Sequence, residues 1–173
     1  MMILFFLVLS IALLILFSLV YSTIQTGISP MPTSSKMREA LFLHLPELHK
    51  GKVVDLGSGW GNLIFSLSKH YPNSQIIGYE CSPIPYLFTF LFNTYSNLKI
   101  YRKNFFKISV SDADLIVCYL YSKRMGALRE KLEKEVKPGA WILSHTFAIS
   151  GWVPKQIIEI NDLYHSKIYV YTR

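Results

Sequence analysis

The sequence predicts an α/β protein with a mostly parallel sheet, preceded by one apolar helix. Three observations predict this: strand-like and helix-like segments alternate from residue 52 onward, a glycine-rich turn follows the first of those strands, and residues 1–21 are almost entirely apolar. Alternating strands and helices favour a parallel sheet with helices on both faces. We therefore expect one α/β domain after an N-terminal hydrophobic segment.

The N-terminal segment reads MMILFFLVLSIALLILFSLVY, and only Ser10 and Ser18 interrupt the apolar run. About 20 apolar residues span the hydrocarbon core of a bilayer, so we predict a single-pass transmembrane anchor over residues 1–21. A signal peptide cleaved near Ser22 is the alternative, but no basic residue precedes the run and signal peptides have shorter apolar regions. The first charged side chain, Lys36, follows the span. This favours a domain that faces the cytoplasm, or the mitochondrial matrix if the source is eukaryotic.

The charge of the protein lies entirely on the part after the anchor. The chain carries 18 Lys and Arg residues and a formal net charge of +7. Basic surface near anionic headgroups gains about 1 kcal/mol per Lys or Arg, so the membrane is one expected partner. We expect no nucleic-acid partner, because the sequence has no basic run and no nucleic-acid-binding motif.

The cysteines and histidines give no sign of a metal site. Cys81 and Cys118 lie far apart in predicted regular structure, and we expect two buried free thiols. The five histidines show no metal-ligand spacing, so no metal is expected.

A predicted linker over residues 22–35 joins the anchor to the domain, which we place at residues 36–173. The glycine and two prolines of STIQTGISPMPTS preclude a continuous helix. Thr33 or Ser34 is positioned to cap the first helix of the domain.

Each element of the domain is predicted from its periodicity and its flanking turn residues. In chain order we expect the helix SKMREALFLHLPEL, the strand KVVDLG, the helix NLIFSLSKHY, the strand QIIGYE, the helix SPIPYLFTFLFNTY, the strands LKIYRKN and DLIVCYLY, the helix SKRMGALREKLEKEVKPG and the strand AWILSHTF. Met37, Leu41 and Leu45 give the first helix one apolar face, and prolines begin the third. The tail KQIIEINDLYHSKIYVYTR has two strand-like runs around a polar turn, which indicates a terminal antiparallel pair.

The stretch VVDLGSGWG carries the main functional signal. Asp55 lies near the end of the first strand, and Gly57, Gly59 and Gly61 form the turn before a helix. Glycines in such a turn let backbone N–H groups approach a ligand closely. The spacing is not the dinucleotide motif G-x-G-x-x-G, because Asn62 stands where its third glycine belongs, and the Lys-Ser/Thr ending of a P-loop is missing. Both phosphate-binding motifs are therefore disfavoured.

The residues Asp55-Leu-Gly57-Ser-Gly59-Trp-Gly61 resemble the D-x-G-x-G-x-G signature of class I S-adenosylmethionine (SAM)-dependent methyltransferases. The resemblance implies a Rossmann-like methyltransferase fold with a C-terminal antiparallel strand, SAM as the cofactor, and a cofactor site that includes Asp55, Gly57, Ser58, Gly59 and Gly61.

Four further residues complete the expected cofactor site. Glu80 ends the second strand, where a carboxylate can accept the two ribose hydroxyls. The resemblance places Asn104 against the adenine amino group, with Phe105 beside it as a ring contact. It also implies that Thr33, in the linker, closes over the methionine part of the cofactor, although a helix cap is an equally good account.

The apolar span, the P-T-S linker, VVDLGSGWG and GYExSP together resemble the small membrane-anchored protein-lysine methyltransferases, which include mitochondrial enzymes that act on the adenine nucleotide carrier and the ATP synthase c subunit. This resemblance implies methylation of a lysine in a membrane-associated protein. No catalytic base is assigned, since water, a carboxylate or an apolar channel could each deprotonate a lysine. Tyr119 and Tyr121, at the end of the fourth strand, are candidates to line the acceptor channel.

Two other functions stay open at this point. The tether and the apolar helix PYLFTFLF also suit methylation of a lipid or quinone-like molecule. The small size and the lack of an obvious base suit a non-catalytic SAM-binding module. The sequence does not predict the oligomeric state.

Overall fold

The structure is a computed structural model that describes residues 1–27 and 32–173. Its strands are β1 Lys52–Leu56, β2 Gln75–Glu80, β3 Leu98–Arg102, β4 Leu115–Cys118, β5 Trp141–His145, β6 Gln156–Glu159 and β7 Lys167–Thr172. Its α-helices are α1 Met2–Thr26, α2 Ser35–Leu43, α3 Asn62–His70, α4 Pro83–Leu91 and α5 Met125–Glu135.

The strands form one sheet in the order β3-β2-β1-β4-β5-β7-β6. The first five strands in this order run parallel, whereas β7 is antiparallel to both β5 and β6. The fold class and the terminal antiparallel pair are therefore confirmed. The strand order reverses between β1 and β4, and open α/β sheets bind their ligands at the carboxyl ends of the strands at such a point.

Helices pack on both faces of the sheet. One face is covered by α2 and α3, whose Met37, Leu41 and Ile64 are buried in one hydrophobic cluster. The other face is covered by α5, through Leu128 and Leu132. Because successive strand residues point to opposite faces, the strands of this sheet contribute to both clusters.

The apolar helix α1 is longer than predicted. It continues through Thr26 and ends at Gly27, which has φ 78° and a backbone N–H that donates to the carbonyl of Thr23 at 2.8 Å. Residues 22–26, which we placed in the linker, are therefore helical. The helix has the length and composition of a membrane span, and no residue of its most apolar stretch is buried.

Other boundaries differ at helix ends. We expected the first helix of the domain to end at about Pro46 and the third to reach residue 95, but α2 ends at Leu43 and α4 at Leu91. The end of α2 shortly before Pro46 agrees with the expected stop, because a proline disfavours helical backbone in the residue before it.

Ser34 caps α2, and its loss is expected to destabilise the domain. The Ser34 hydroxyl accepts a hydrogen bond from the backbone N–H of Met37 at 3.2 Å. Ser34→Ala should lower the free energy of unfolding by about 1 kcal/mol, the usual value of an N-cap. Thermal unfolding of the detergent-solubilised protein would measure this, with Ser96→Ala at an exposed turn as the matched control. Equal melting temperatures for the two variants would contradict the capping role.

Candidate cofactor site

A cavity of about 400 Å³ opens at the carboxyl ends of the central strands. This volume lies in the usual range of small-molecule sites, roughly 300–1,000 Å³. Of the predicted cofactor residues, the cavity brings together Gly57, Gly59, Glu80, Asn104 and Phe105.

A small cleft of about 30 Å³ continues the cavity on the other side of the glycine turn. Asp55, Ser58 and Thr33 line this cleft. Gly57, Gly59 and Tyr119 are shared by both spaces. The predicted site is therefore distributed over two adjoining parts, with the glycine turn between them.

The glycine turn needs glycine for two separate reasons. Gly57 has φ 93°, a conformation that side chains disfavour, and its N–H donates to the carbonyl of Tyr79 at 2.9 Å. Gly61 lines neither space but caps α3 with φ 83°, and a Cβ there would lie 2.8 Å from the Thr89 side chain. Gly61 thus lets α4 pack closely against the turn.

Glu80 holds the turn from the neighbouring strand. Its Oε2 accepts a hydrogen bond from the Gly59 N–H at 2.8 Å, and its Oε1 accepts one from the Ser82 N–H at 2.7 Å. The residue is only 6% exposed. A carboxylate has about four acceptor positions, so these two backbone bonds leave capacity for a ligand in the cavity. Glu80 can therefore shape the turn and accept ribose hydroxyls at the same time.

Asp55 lies in the middle of the sheet, paired in register with Gly78 of β2 and Val117 of β4. Burial raises the pKa of its carboxyl from 3.8 to about 7, and the nearby Glu80 charge contributes to the same direction. Two carboxyl groups in this region create a site that favours a positively charged ligand.

The opposite wall is a short 3₁₀ turn, Phe105–Lys107. The Asn104 side-chain oxygen accepts a hydrogen bond from the Phe106 N–H at 3.0 Å and so caps the turn. The Phe105 and Phe106 rings lie 4.4 Å apart, centroid to centroid. The turn presents an amide and an aromatic surface to the same cavity.

The end of α1 forms a wall of the cavity that the sequence did not predict. Gln25 and Thr26 line the cavity, and Arg124 Nη2 donates to the Gln25 carbonyl at 2.7 Å. A Cβ built on Gly27 would lie 3.2 Å from the Tyr121 ring. We had placed Gln25, Thr26 and Gly27 in the linker. We had predicted no functional role for Arg124. Gln25 and Thr26 could have been found from one signal in the sequence, the uninterrupted run of helix-compatible residues up to Gly27.

Tyr119 and Tyr121 both line the cavity, beside Leu120. The Tyr119 ring stacks on His145, which ends β5, with 4.1 Å between centroids. Burial lowers the pKa of His145 to about 4 and raises the pKa of the Tyr119 hydroxyl. Both rings are therefore neutral near pH 7. Sequence reasoning missed His145, because nothing in its neighbourhood pointed to this stack.

We predicted that both cysteine thiols are buried, and this is correct for Cys118 but wrong for Cys81. Cys118 is buried, and burial raises its pKa to about 12. Cys81 is exposed, because it follows directly after β2 and lies at the rim of the cavity.

Sequence comparison identifies the family of the chain. The family model described as the ANTKMT methyltransferase domain matches residues 55–156. A protein-lysine N-methyltransferase of Saccharolobus islandicus (strain REY15A) is 31% identical over 138 residues, which cover 76% of this chain and 84% of that protein.

The adenine nucleotide translocase lysine N-methyltransferase of Mus musculus is 28% identical, with 62% of this chain and 48% of the relative covered. The ATP synthase c-subunit lysine N-methyltransferase of Mus musculus is 26% identical, with 72% and 51% covered. The chain thus spans about half the length of the two mouse relatives.

Structural comparison agrees with the family at the level of the fold. An RNA methyltransferase from Salinibacter ruber, in complex with S-adenosyl-L-homocysteine, has a TM-score of 0.70 and 21% identity, covering 82% of this chain and 93% of that one. PKMT2 from Rickettsia typhi, in complex with AdoHcy, has a TM-score of 0.51 and 22% identity, covering 62% and 23%. The family model, the relatives and the complete glycine signature at the strand switch point lead to one conclusion: the chain belongs to the ANTKMT methyltransferase domain family and is a class I methyltransferase that uses SAM.

Proposed function

We propose that this protein is a membrane-tethered protein-lysine N-methyltransferase whose acceptor is a lysine of a membrane-associated protein. One observation carries the proposal: the last turn of the apolar helix α1 is also a wall of the cofactor cavity. Relatives named as protein-lysine, adenine nucleotide translocase and ATP synthase c-subunit methyltransferases support the choice of acceptor class.

The length of α1 supports a site close to the membrane surface. A helix of 25 residues is roughly 37 Å long at about 1.5 Å per residue, whereas the hydrocarbon core is about 30 Å thick. If α1 spans the core, its last turn extends into the headgroup layer. Gln25 and Thr26 then place the cavity in that layer, where lysines at the ends of membrane helices lie.

The residues present fit SAM as the bound cofactor. We assign the ribose hydroxyls to the free acceptor positions of Glu80, and the adenine to Asn104 and Phe105. The methionine part is assigned to the side of the cavity next to the glycine turn, where it adjoins the cleft lined by Asp55, Ser58 and Thr33. SAM supplies an activated methyl group, so the protein has to bind, orient and exclude water.

An acceptor lysine must lose a proton before it can accept a methyl group, since its reference pKa is about 10.4. The wall of the cavity near the glycine turn contains Tyr119, Leu120 and Tyr121. The Tyr119 ring and the His145 ring stacked on it are both uncharged near pH 7. A largely apolar channel of this kind lowers the pKa of an entering ammonium group by desolvation. We assign Tyr119 and Tyr121 to this channel.

The proposal is tested by reconstituting the full chain with membrane proteins extracted from its source organism. Radiolabelled SAM is added to vesicles that hold enzyme and acceptors together, and to a mixture of vesicles that hold them separately. We expect label on a protein band, recovered as methyl-lysine after acid hydrolysis, at least about tenfold faster when both share a bilayer, because a tether raises the effective concentration. Equal rates would contradict the tether.

The chemical identity of the product separates the remaining functions. Label that partitions into organic solvent, with none in protein, would replace the lysine assignment by methylation of a lipid or quinone-like molecule. Saturable SAM binding without turnover on any membrane fraction would indicate a non-catalytic module.

A further inference from the structure

The outward side of α4 is an exposed apolar surface. Its residues are Leu87, Phe88, Phe90, Leu91 and, at the C-cap, Phe92, which are 48%, 41%, 55%, 66% and 61% exposed. We call these five residues the α4 surface. The helix sequence PIPYLFTFL contains no charged residue, in contrast to α5. Contiguous apolar surface of this kind marks an interaction site.

The α4 surface is continuous with the helix that we propose to span the membrane. The two helices α1 and α4 contact each other. Only the C-terminal third of α1 is shielded from solvent, including Ser18, Ser22 and Thr23, so the contact lies at that end. The packing thus fixes α4 beside the point where α1 leaves the hydrocarbon core.

The charge of the chain around α4 suits an anionic surface. Residues 81–111 contain no Asp or Glu, while Lys99, Arg102, Lys103 and Lys107 lie within this range. All four basic residues are exposed. Strand β3 packs against α4 through the face that carries Leu98 and Ile100, so Arg102 lies on the α4 side of the strand and Lys99 on the opposite side. Each such cation near anionic headgroups contributes about 1 kcal/mol of binding.

We propose that the α4 surface lies in the headgroup region of the bilayer that α1 spans, and that Arg102, on the same side of the sheet, binds anionic lipid. The inference rests on the proposed tether and deepens it, because a second contact orients the domain instead of only holding it nearby. Phe and Leu side chains suit this depth, because they typically form the apolar face of a helix that lies in the membrane interface.

The proposed contact is directly connected to the cofactor site. Helix α4 begins at Pro83, one residue after Ser82, whose N–H donates to Glu80. The Thr89 hydroxyl of α4 also donates to the carbonyl of Gly59 at 2.8 Å. A bilayer that holds α4 therefore also fixes the orientation of the glycine turn and of the cavity relative to the membrane.

The test measures the depth of three positions in the full chain. In a Cys81→Ser background, nitroxide labels are attached to Phe90→Cys on the α4 surface, Leu13→Cys in α1 and Ala127→Cys on the exposed side of α5, across the sheet. Cys118 is buried and should stay unlabelled. Power saturation in vesicles with phosphatidylserine should show the labels at 90 and 13 more accessible to oxygen than to an aqueous nickel complex, and the label at 127 the reverse.

The outcomes separate this inference from the tether. A water-accessible label at 90 with a lipid-exposed label at 13 would overturn the α4 contact alone. Water-accessible labels at both positions would overturn the tether as well. Spin–spin broadening at 90 that grows with the protein-to-lipid ratio would assign the α4 surface to a second copy and so contradict the lipid contact.

A charge on the α4 surface provides an independent readout. Phe90→Glu should slow methylation of acceptors in the same bilayer several-fold, while SAM affinity in detergent stays unchanged. The matched control is Leu163→Glu, which changes an 87% exposed apolar residue elsewhere in the domain. Equal methylation rates for the two variants would contradict the α4 contact.

Discussion

Replacing Glu80 by glutamine is expected to weaken SAM binding by roughly 10- to 150-fold. The carboxylate accepts hydrogen bonds from the N–H groups of Gly59 and Ser82, one on each oxygen. A glutamine side chain has one oxygen, and its NH₂ group only donates, so one backbone N–H loses its acceptor. That loss perturbs the turn, and the ribose hydroxyls also lose the charged acceptor assigned to them. A hydrogen bond to a charged group contributes about 1.5–3 kcal/mol, which corresponds to that range of affinity.

The measurement is isothermal titration of SAM into the detergent-solubilised full chain. Glu159→Gln is the matched control, because Glu159 is an exposed residue of β6 that pairs with Lys167 on the neighbouring strand. If the SAM affinity of Glu80→Gln lies within twofold of that of this control, neither the structure of the glycine turn nor the binding of the ribose depends on the carboxylate. The assigned cofactor site would then be wrong.

Much of the fold could be predicted from the sequence because its signals are local. The strand QIIGYE was predicted with the bounds that the structure gives, since Pro72 and Asn73 precede it and a buried apolar run defines it. The antiparallel pair at the C-terminus followed from two short runs around one polar turn. Helix ends were less accurate, because capping and packing, rather than periodicity, determine where α2 and α4 stop.

The residues that line the cavity were predictable where the chain carries a motif. The glycine turn, Glu80 and Asn104 each follow a strand, so the order of the strands already places them at one edge of the sheet. The wall made by Gln25 and Thr26 depends on how α1 packs on the domain, which no local pattern encodes. The stack of His145 on Tyr119 likewise depends on the pairing of β4 with β5.

Asp55→Asn is expected to stabilise the protein while it weakens cofactor binding. The pKa of Asp55 is raised from 3.8 to about 7, so the folded protein holds this proton more tightly than the unfolded chain. The destabilisation is absent below pH 3.8, grows as the pH rises and is complete above about pH 7. At pH 8 the substitution should add on the order of 2–4 kcal/mol, or about 5–10 °C in melting temperature. At pH 5 the gain should be less than half as large.

The control Asp112→Asn should behave differently. Asp112 is exposed, and its pKa is lowered because Lys52 donates a hydrogen bond to it, so its loss should leave the melting temperature unchanged or slightly lower. A pH-independent gain for Asp55→Asn would show that its carboxyl is not held neutral by burial.

The same buried carboxyl should make SAM binding depend on pH. SAM carries a sulfonium and an ammonium group, so an ionised Asp55 beside Glu80 attracts it more strongly than a protonated Asp55 does. Affinity should therefore rise between pH 5.5 and 8, with proton release on binding near pH 6–7, which titration in buffers of different ionisation enthalpy would detect. Asp55→Asn should abolish both effects. If the variant keeps the pH dependence of the wild type, another group is responsible, and cofactor binding would no longer explain why the fold tolerates a destabilising carboxyl at Asp55.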